Sequence, residues 1–346
     1  MLVLTTPTIL VGPFASFILV RIEAQKRTCL RALPESEGGL YNSVMRVDKA
    51  NHLSLDLLRA ILLLLPAGLA AAASDVQEDQ EAANCTTLRG NSIEGGLIWG
   101  KVSPGAEVRL DGDTLDVLPD GTFVAGFHRD AAAASVLTVA QVDVDGASGP
   151  SSCKRRLLVQ QRDYNIQRIE GVPQRTVTPP QEQLERIRRE RAMVGAAKAK
   201  RIANPRWLMQ IDGGFRWPVE GRISGVYGSQ RVYNGTPGTP HYGVDVAVPT
   251  GTPVLAPAAG QVTLAEADLF YSGGTIIVDH GYGLSSSFLH LSAVEVAVGD
   301  IVQIGDRLGQ VGATGRATGP HLDWRMSWRN RRVDPQLLVP EMKANR

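Results

Sequence analysis

The sequence predicts a mainly β protein with a small N-terminal β-sandwich, a helical linker and a C-terminal antiparallel β domain. Three observations carry that prediction. Short apolar runs separated by turn residues recur from Gly95 to Gln160, one segment with helical patterning follows, and glycine-punctuated β-rich sequence resumes from Phe215. A chain of 346 residues has room for about two such domains.

In the first domain, assigned to 91–172, the runs are Leu97-Ile-Trp99, Glu107-Val-Arg-Leu110, Thr122-Phe-Val124, Val136-Leu-Thr-Val139 and Leu157-Leu-Val159. Turn chemistry at Ser103-Pro-Gly105, Asp111-Gly112, Pro119-Asp-Gly121 and Asp145-Gly146 separates them, and strands so spaced suit a small sandwich. Asp111-Gly-Asp113 invites a calcium-loop reading. Leu115 stands where that loop needs a ligand and Asp116 where it needs glycine, so a hairpin turn is expected instead.

Residues 173–206 read as a stiff Pro-rich connector, 173–180, followed by a helix over Gln181–Ala203. Leu184, Ile187, Val194 and Ala197 form a partial apolar stripe. Glu182, Glu185 and Glu190 dilute the charge of Arg186, Arg188, Arg189 and Arg191, which favours a solvated linker helix over one that binds an anionic surface. Within 207–346 the strands are expected at Val254–Pro257, Gly260–Leu264, Thr275–Val278, Ser287–Leu291, Val298–Ile304 and Leu308–Val311.

The first 73 residues read as a leader. Arg59 precedes an apolar run, Ala60–Ala73, that ends in small residues with an Ala-x-Ala pattern, which predicts a signal peptide cleaved after Ala73. Met45 is placed as its natural start, which makes 1–44 a mis-called beginning; the rival reading takes Leu2–Val20 as a membrane segment. Residues 74–90 are then a loose polar N-terminus. Export to the periplasm suits a disulfide between Cys85 and Cys153. A net charge of +1 and 5% aromatic content exclude a dedicated nucleic-acid binder, which needs a basic field and stacking platforms.

Two split pairs carry the chemistry. His241 and Asp245 are four residues apart, and His321 and Asp323 are two apart about eighty residues later. Both offer imidazole and carboxylate groups of the kind zinc takes. On a strand, residues two apart share a face, so His321 and Asp323 point together while Leu322 and Trp324 point away.

The ordered motifs His241-Tyr-Gly-Val-Asp245, Gly251-Thr-Pro-Val-Leu-Ala256, Asp279-His-Gly281, Phe288-Leu-His290-Leu291, Val298-Gly-Asp-Ile-Val302, Gly305-Asp-Arg-Leu-Gly309 and Thr318-Gly-Pro-His321-Leu322 resemble the lysostaphin/LytM-type zinc endopeptidases of bacterial peptidoglycan. The resemblance covers about residues 215–336. It implies Zn2+ held by His241, Asp245 and the residue at 323, with His290 and His321 catalytic. It also implies peptidoglycan stem or cross-link peptides as partners, alongside cell-division or amidase proteins. Two positions depart from the pattern. Phe288 replaces a tyrosine, and Asp323 replaces the histidine that is the third zinc ligand.

Asp323 leaves three arrangements open. It binds zinc itself, or His321 becomes the ligand and Asp323 a hydrogen-bond acceptor behind it, or the site holds no useful metal. The first two make a periplasmic zinc endopeptidase. The third makes a metal-deficient LytM-like protein that binds peptidoglycan or activates an amidase. A lipoyl-type carrier, suggested by Val298–Gly309, fails because no lysine occurs between Leu208 and Met342. Asp279 and His280 read as structural turn residues. Asn234-Gly235, before His241, reads as a plain turn rather than a lid.

Overall fold

The structure, a computed structural model, describes residues 9–12, 15–18, 86–141, 151–171, 181–208 and 211–342. The signal-peptide run, Cys85 and the Pro-rich connector lie outside them, and so does the pairing expected between Cys85 and Cys153. Ile9–Gly12 and Ala15–Ile18 pair as an antiparallel hairpin, in the stretch whose rival reading is a membrane segment. That hairpin belongs to a unit of its own. No helix among the described residues is long and apolar enough to cross a membrane.

Alternating side chains build two antiparallel sheets in the first domain. Thr87–Gly90, Leu97–Lys101 and Thr122–Gly126 make one; Asp113–Thr114, Glu107–Leu110, Ala134–Gln141 and Ser151–Leu158 make the other. Both supply one cluster of buried residues, including Leu97, Phe123, Val108, Leu110, Leu137 and Val139. Each such side chain contributes roughly 1.5–3 kcal/mol by leaving water, before entropy is charged against it. Thr87–Gly90 lies in the stretch expected to be loose. It is a strand because Leu97–Lys101 offers it a partner edge, while its own side chains stay mostly exposed.

Asp111 and Gly112 both have positive φ, 53° and 88°, and Leu110 pairs with Asp113 across them, as a tight two-residue hairpin requires. The acids that invite a calcium reading take arginines instead. Asp116 binds Arg329 at 2.9 Å and Asp113 binds Arg331 at 3.2 Å, joining the first domain to the second.

The second domain is built on an eight-stranded sheet. Its members are β1 (Arg222–Gly225), β2 (Val244–Ala247), β3 (Gly260–Leu269), β4 (Gly273–Asp279), β5 (Leu284–Leu291), β6 (Ile301–Val302), β7 (Leu322–Trp328) and β8 (Arg331–Val333). The spatial order is β1-β2-β7-β5-β4-β3-β6, with β8 paired to β7, and every pairing is antiparallel. Along β7, Leu322, Trp324, Met326 and Trp328 face the main core, and Asp323, Arg325 and Ser327 face the other way. Only Ile301–Val302 of the run Val298–Ile304 is strand; Val298, Ile301 and Ile304 are exposed.

The linker helix α1, Leu184–Ala199, corrects the expectation of a solvated helix. Its Met193, Val194 and Ala197 pack on Leu264, Leu269 and Ile277 of β3 and β4. Arg186 reaches the carbonyl of Asp268 at 2.8 Å, and Glu190 accepts from the Phe270 amide at 2.8 Å. The apolar stripe is short, but the sheet beneath it is apolar as well, and burial of both surfaces decides the outcome. β4 and β5 are therefore buried along their whole length.

Asp279 and His280 end β4. His280 Nδ1 lies 2.8 Å from the Ala259 carbonyl and Nε2 lies 2.8 Å from Ser286 Oγ, so the ring is fully bonded and structural. Burial drives its pKa down to about 4 from 6.5. Burial drives Asp279 up to about 6 from 3.8, against the amide of Gly281, which donates to it. The two contributions oppose each other. His280 binds fewer protons folded than unfolded, so its share of stability is complete above about pH 6.5 and is lost as pH falls to about 4. Asp279 binds more protons folded, so its share is present at low pH and is lost as pH rises from about 3.8 to 6. Asp279→Asn keeps the acceptor and removes only the second trend. Urea unfolding at pH 7.5 is expected to show the variant more stable by about 2–3 kcal/mol, with the gain gone by pH 4; equal midpoints at pH 7.5 would refute this.

Candidate metal centre

The antiparallel register of β2 and β7 sets Asp245 directly opposite Asp323. Opposed residues share a face, so two carboxylates from distant parts of the chain meet there. His241 precedes β2 and is held by its backbone. Its amide donates to Ser229 at 2.8 Å and its carbonyl accepts from Gly228 at 2.7 Å. One donor atom from each of His241, Asp245 and Asp323 lies within 4.8 Å of the others.

Two of these atoms face each other and make no hydrogen bond. His241 Nε2 and Asp245 Oδ1 stand 3.2 Å apart, and both are buried without a hydrogen bond. Buried polar atoms in that state are costly, and a pair of them beside a second carboxylate is the donor set a divalent cation satisfies. The residues present therefore fit a metal ion. Two glycines keep the cradle open. A Cβ on Gly225, which pairs with Asp245, would strike that carboxylate, and one on Gly243 would lie 2.7 Å from Asp323 Oδ1.

His290 and His321 stand beside the donors. His321 forms a bridge with Gly312 just before β7, and its Nε2 lies 3.9 Å from Asp245 Oδ1. The two imidazole rings are 4.9 Å apart. Each Nδ1 contacts a backbone carbonyl at 2.8 Å, Thr314 for His290 and Gly319 for His321. A carbonyl only accepts, so Nδ1 carries the proton and Nε2 of each neutral ring keeps its lone pair. His290 has φ of 66°, in the left-handed region, while its amide donates to Ser272. Phe288, in the tyrosine position of the resemblance, is fully buried and sits opposite Trp324 on the core face.

Asp323 is 2% exposed. Arg325 holds it with a fork: Nε lies 2.9 Å from Oδ1 and 3.0 Å from Oδ2, and Nη2 lies 2.5 Å from Oδ2. Burial pushes the Asp323 carboxyl up, but Arg325 outweighs it and holds the pKa below the usual range. For His241, burial opposes the charged ring, yet Asp245 and Asp323 prevail and raise its pKa. For His290, burial dominates and lowers it, with the Thr314 carbonyl only partly offsetting.

The sequence reading places all five candidates, and the structure brings His241, Asp245, Asp323, His290 and His321 together. It misses Arg325, although the spacing of two that pairs His321 with Asp323 also puts Arg325 on that face. It misses Arg129 too. This buried arginine of the first domain donates from Nε to the Gly228 carbonyl at 2.9 Å and stacks 4.2 Å from the Tyr164 ring. No local pattern signals a brace between residues a hundred positions apart. Asn234 and Gly235, with φ of 46° and 76°, turn a hairpin between Gln230–Tyr233 and Thr236–Pro237.

Residues 239–335 match the model of peptidase family M23. The C-terminal domain is a peptidase family M23 domain. The M23 domain is 38% identical over 133 residues to peptidoglycan DD-endopeptidase ShyA of Vibrio cholerae serotype O1, which covers 38% of this chain and 29% of the relative. It is 34% identical over 134 residues to cell division protein DipM of Caulobacter vibrioides, 37% of this chain and 21% of that one. The chain thus spans less than a third of the length of these curated relatives. Among solved structures, a putative peptidase M23 from Pseudomonas aeruginosa is 32% identical, with a TM-score of 0.49, over 71% of this chain and 94% of the other.

The left-handed backbone at His290 gives a test that needs no metal. His290→Ala and His290→Gly both delete the ring, but only glycine adopts that φ without strain. Chemical denaturation is expected to find the glycine variant more stable by about 1–2 kcal/mol. Equal stabilities would mean that the M23 domain does not hold residue 290 in this conformation.

Proposed function

We propose that this protein is a zinc metalloendopeptidase of the cell envelope that hydrolyses peptide cross-links of peptidoglycan. The observation that carries the reading is the pair of orphaned donors, His241 Nε2 and Asp245 Oδ1, facing each other beside Asp323. Family membership and the peptidoglycan endopeptidase activity in the name of the ShyA relative support the substrate class.

His241, Asp245 and Asp323 would hold the metal, which when bound supplies Lewis-acid polarisation of water and of a peptide carbonyl. The rest falls to the histidines. Their Nδ1 protons are committed to Thr314 and Gly319, so Nε2 of each is free to accept a proton from an attacking water or to hold one against a developing oxyanion. The lowered pKa of His290 keeps that ring neutral at pH 7, the state a general base needs. The first domain acts as a positioning module, with Arg129 bracing Gly228 and Gly228 bracing the His241 carbonyl. Export by the leader and a Cys85–Cys153 disulfide belong to the same reading.

The second reading is the metal-deficient protein that binds peptidoglycan or activates an amidase. It is favoured by the fork of Arg325, which engages both oxygens of Asp323. Zinc content by mass spectrometry and digestion of purified sacculi separate the two. The peptidase reading expects about one zinc per chain, loss of zinc and at least 100-fold loss of cleavage in His241→Ala, and in His290→Ala retained zinc with a comparable loss. A zinc-free wild type whose envelope phenotype survives His241→Ala would establish the second reading instead.

A further inference from the structure

Asp323 brings a negative charge to a place where the family resemblance has a neutral imidazole. With Asp245 it makes two carboxylates, Asp323 buried and Asp245 partly buried, on facing positions of neighbouring strands. An added charge of that kind makes a bound cation a poorer Lewis acid, and without the cation it is expensive to bury. We propose that Arg325 is a positioning residue of the metal centre: it cancels the charge Asp323 adds and fixes that carboxylate toward His241 and Asp245. The inference rests on the metallopeptidase reading above.

The charge count is simple. His241, Asp245 and a histidine would carry one negative charge. His241, Asp245 and Asp323 carry two, and Arg325 returns the group to one. The geometry agrees. Arg325 follows Asp323 by two on β7, so both lie on the face of the site. The Asp323 side chain is 3% exposed and that of Arg325 is 30%, so the arginine covers the carboxylate from the solvent side. The fork fixes the carboxylate's plane, which a lysine's single ammonium could not do. Oδ1 accepts one hydrogen bond from Arg325, at 2.9 Å, and keeps a second lone pair. Gly243 makes the pair possible, because a Cβ there would lie 2.6 Å from Arg325 Cγ as well as against Asp323.

The test is a four-cornered comparison in the full chain: wild type, Arg325→Met, Asp323→His, and both together. Zinc affinity is read by competition with a chromophoric chelator, and thermal melts of the metal-free proteins check folding. Each single variant is expected to bind zinc about 10–100-fold more weakly. One strands a carboxylate and the other strands a guanidinium beside the metal. The double variant has neither and is expected to return to within about threefold of wild type. Because it lacks both the buried carboxylate and its partner charge, it also answers the case in which Arg325→Met fails to fold. Arg325→Lys, which keeps charge and loses the fork, is expected to fall between wild type and Arg325→Met.

Additive losses in the double variant would overturn the inference, as would an Asp323→His variant that binds zinc as tightly as wild type. Tighter binding by Arg325→Met would also overturn it, by showing that the guanidinium competes with the metal. A wild type that takes up no zinc would overturn the metallopeptidase reading itself, and this inference with it.

Discussion

Two carboxylates that face each other across neighbouring strands repel, and burial sharpens the repulsion because water no longer screens it. The register of β2 against β7 imposes that meeting on Asp245 and Asp323. Much of the local architecture answers it. His241 is raised toward its charged form by the same two groups, Arg325 clamps one of them, and Gly225 and Gly243 give up side chains to make room. Removing one member of a buried ion pair costs about 3–5 kcal/mol, since the other is left uncompensated. The site is therefore a set of charges that hold one another, and no member can be assigned an energy alone.

The first domain takes part in that balance at a distance. Arg329 and Arg331, just beyond strand β7, bind its acids Asp116 and Asp113. Arg162 binds the buried Asp334 at 2.9 Å, and the Asp334 amide donates to Gly95 at 2.7 Å. On the other side, Ile166–Ile169 leaves the first domain and pairs in parallel with Gln230–Tyr233, the hairpin strand ahead of His241. Both chain segments that carry the candidate metal donors are thus backed by the first domain through ionic and backbone contacts.

What the sequence makes legible follows from how local each signal is. The hairpin at Asp111-Gly112 and the strands of the second domain rest on turn chemistry and period-two alternation, which act over a few residues. Four of the site residues are legible for a related reason, since motif spacing puts His241 near Asp245 and His321 near Asp323, and His290 is legible only through the family resemblance. Arg325 obeys the same alternation, but a basic residue on a strand ordinarily reads as solvated. Its partner Asp323 is two residues away, but only Asp245, set opposite Asp323 by a strand about eighty residues away in sequence, gives that carboxylate a like charge for Arg325 to offset. The helix obeys the same logic. Its stripe looks too thin to bury until the apolar face formed by Leu264, Leu269 and Ile277 is set beneath it.

That helix lies on a particular face. Leu264 is opposite Ile277, Ile277 is opposite Ser287, and Ser287 is opposite Arg325, which shares its side of β7 with Asp323. The helix and the candidate metal donors therefore occupy the same side of one sheet, and Lys198 near the helix's C-terminal end is depressed in pKa by burial, with Arg332 and Arg325 adding to the effect. A piece of this chain trimmed to the family-matched residues alone would begin after the helix and present Leu264 and Ile277 bare to water. The natural cutting point for an autonomous M23 fragment lies upstream of Leu184, because what connects the two domains also covers the face of this sheet.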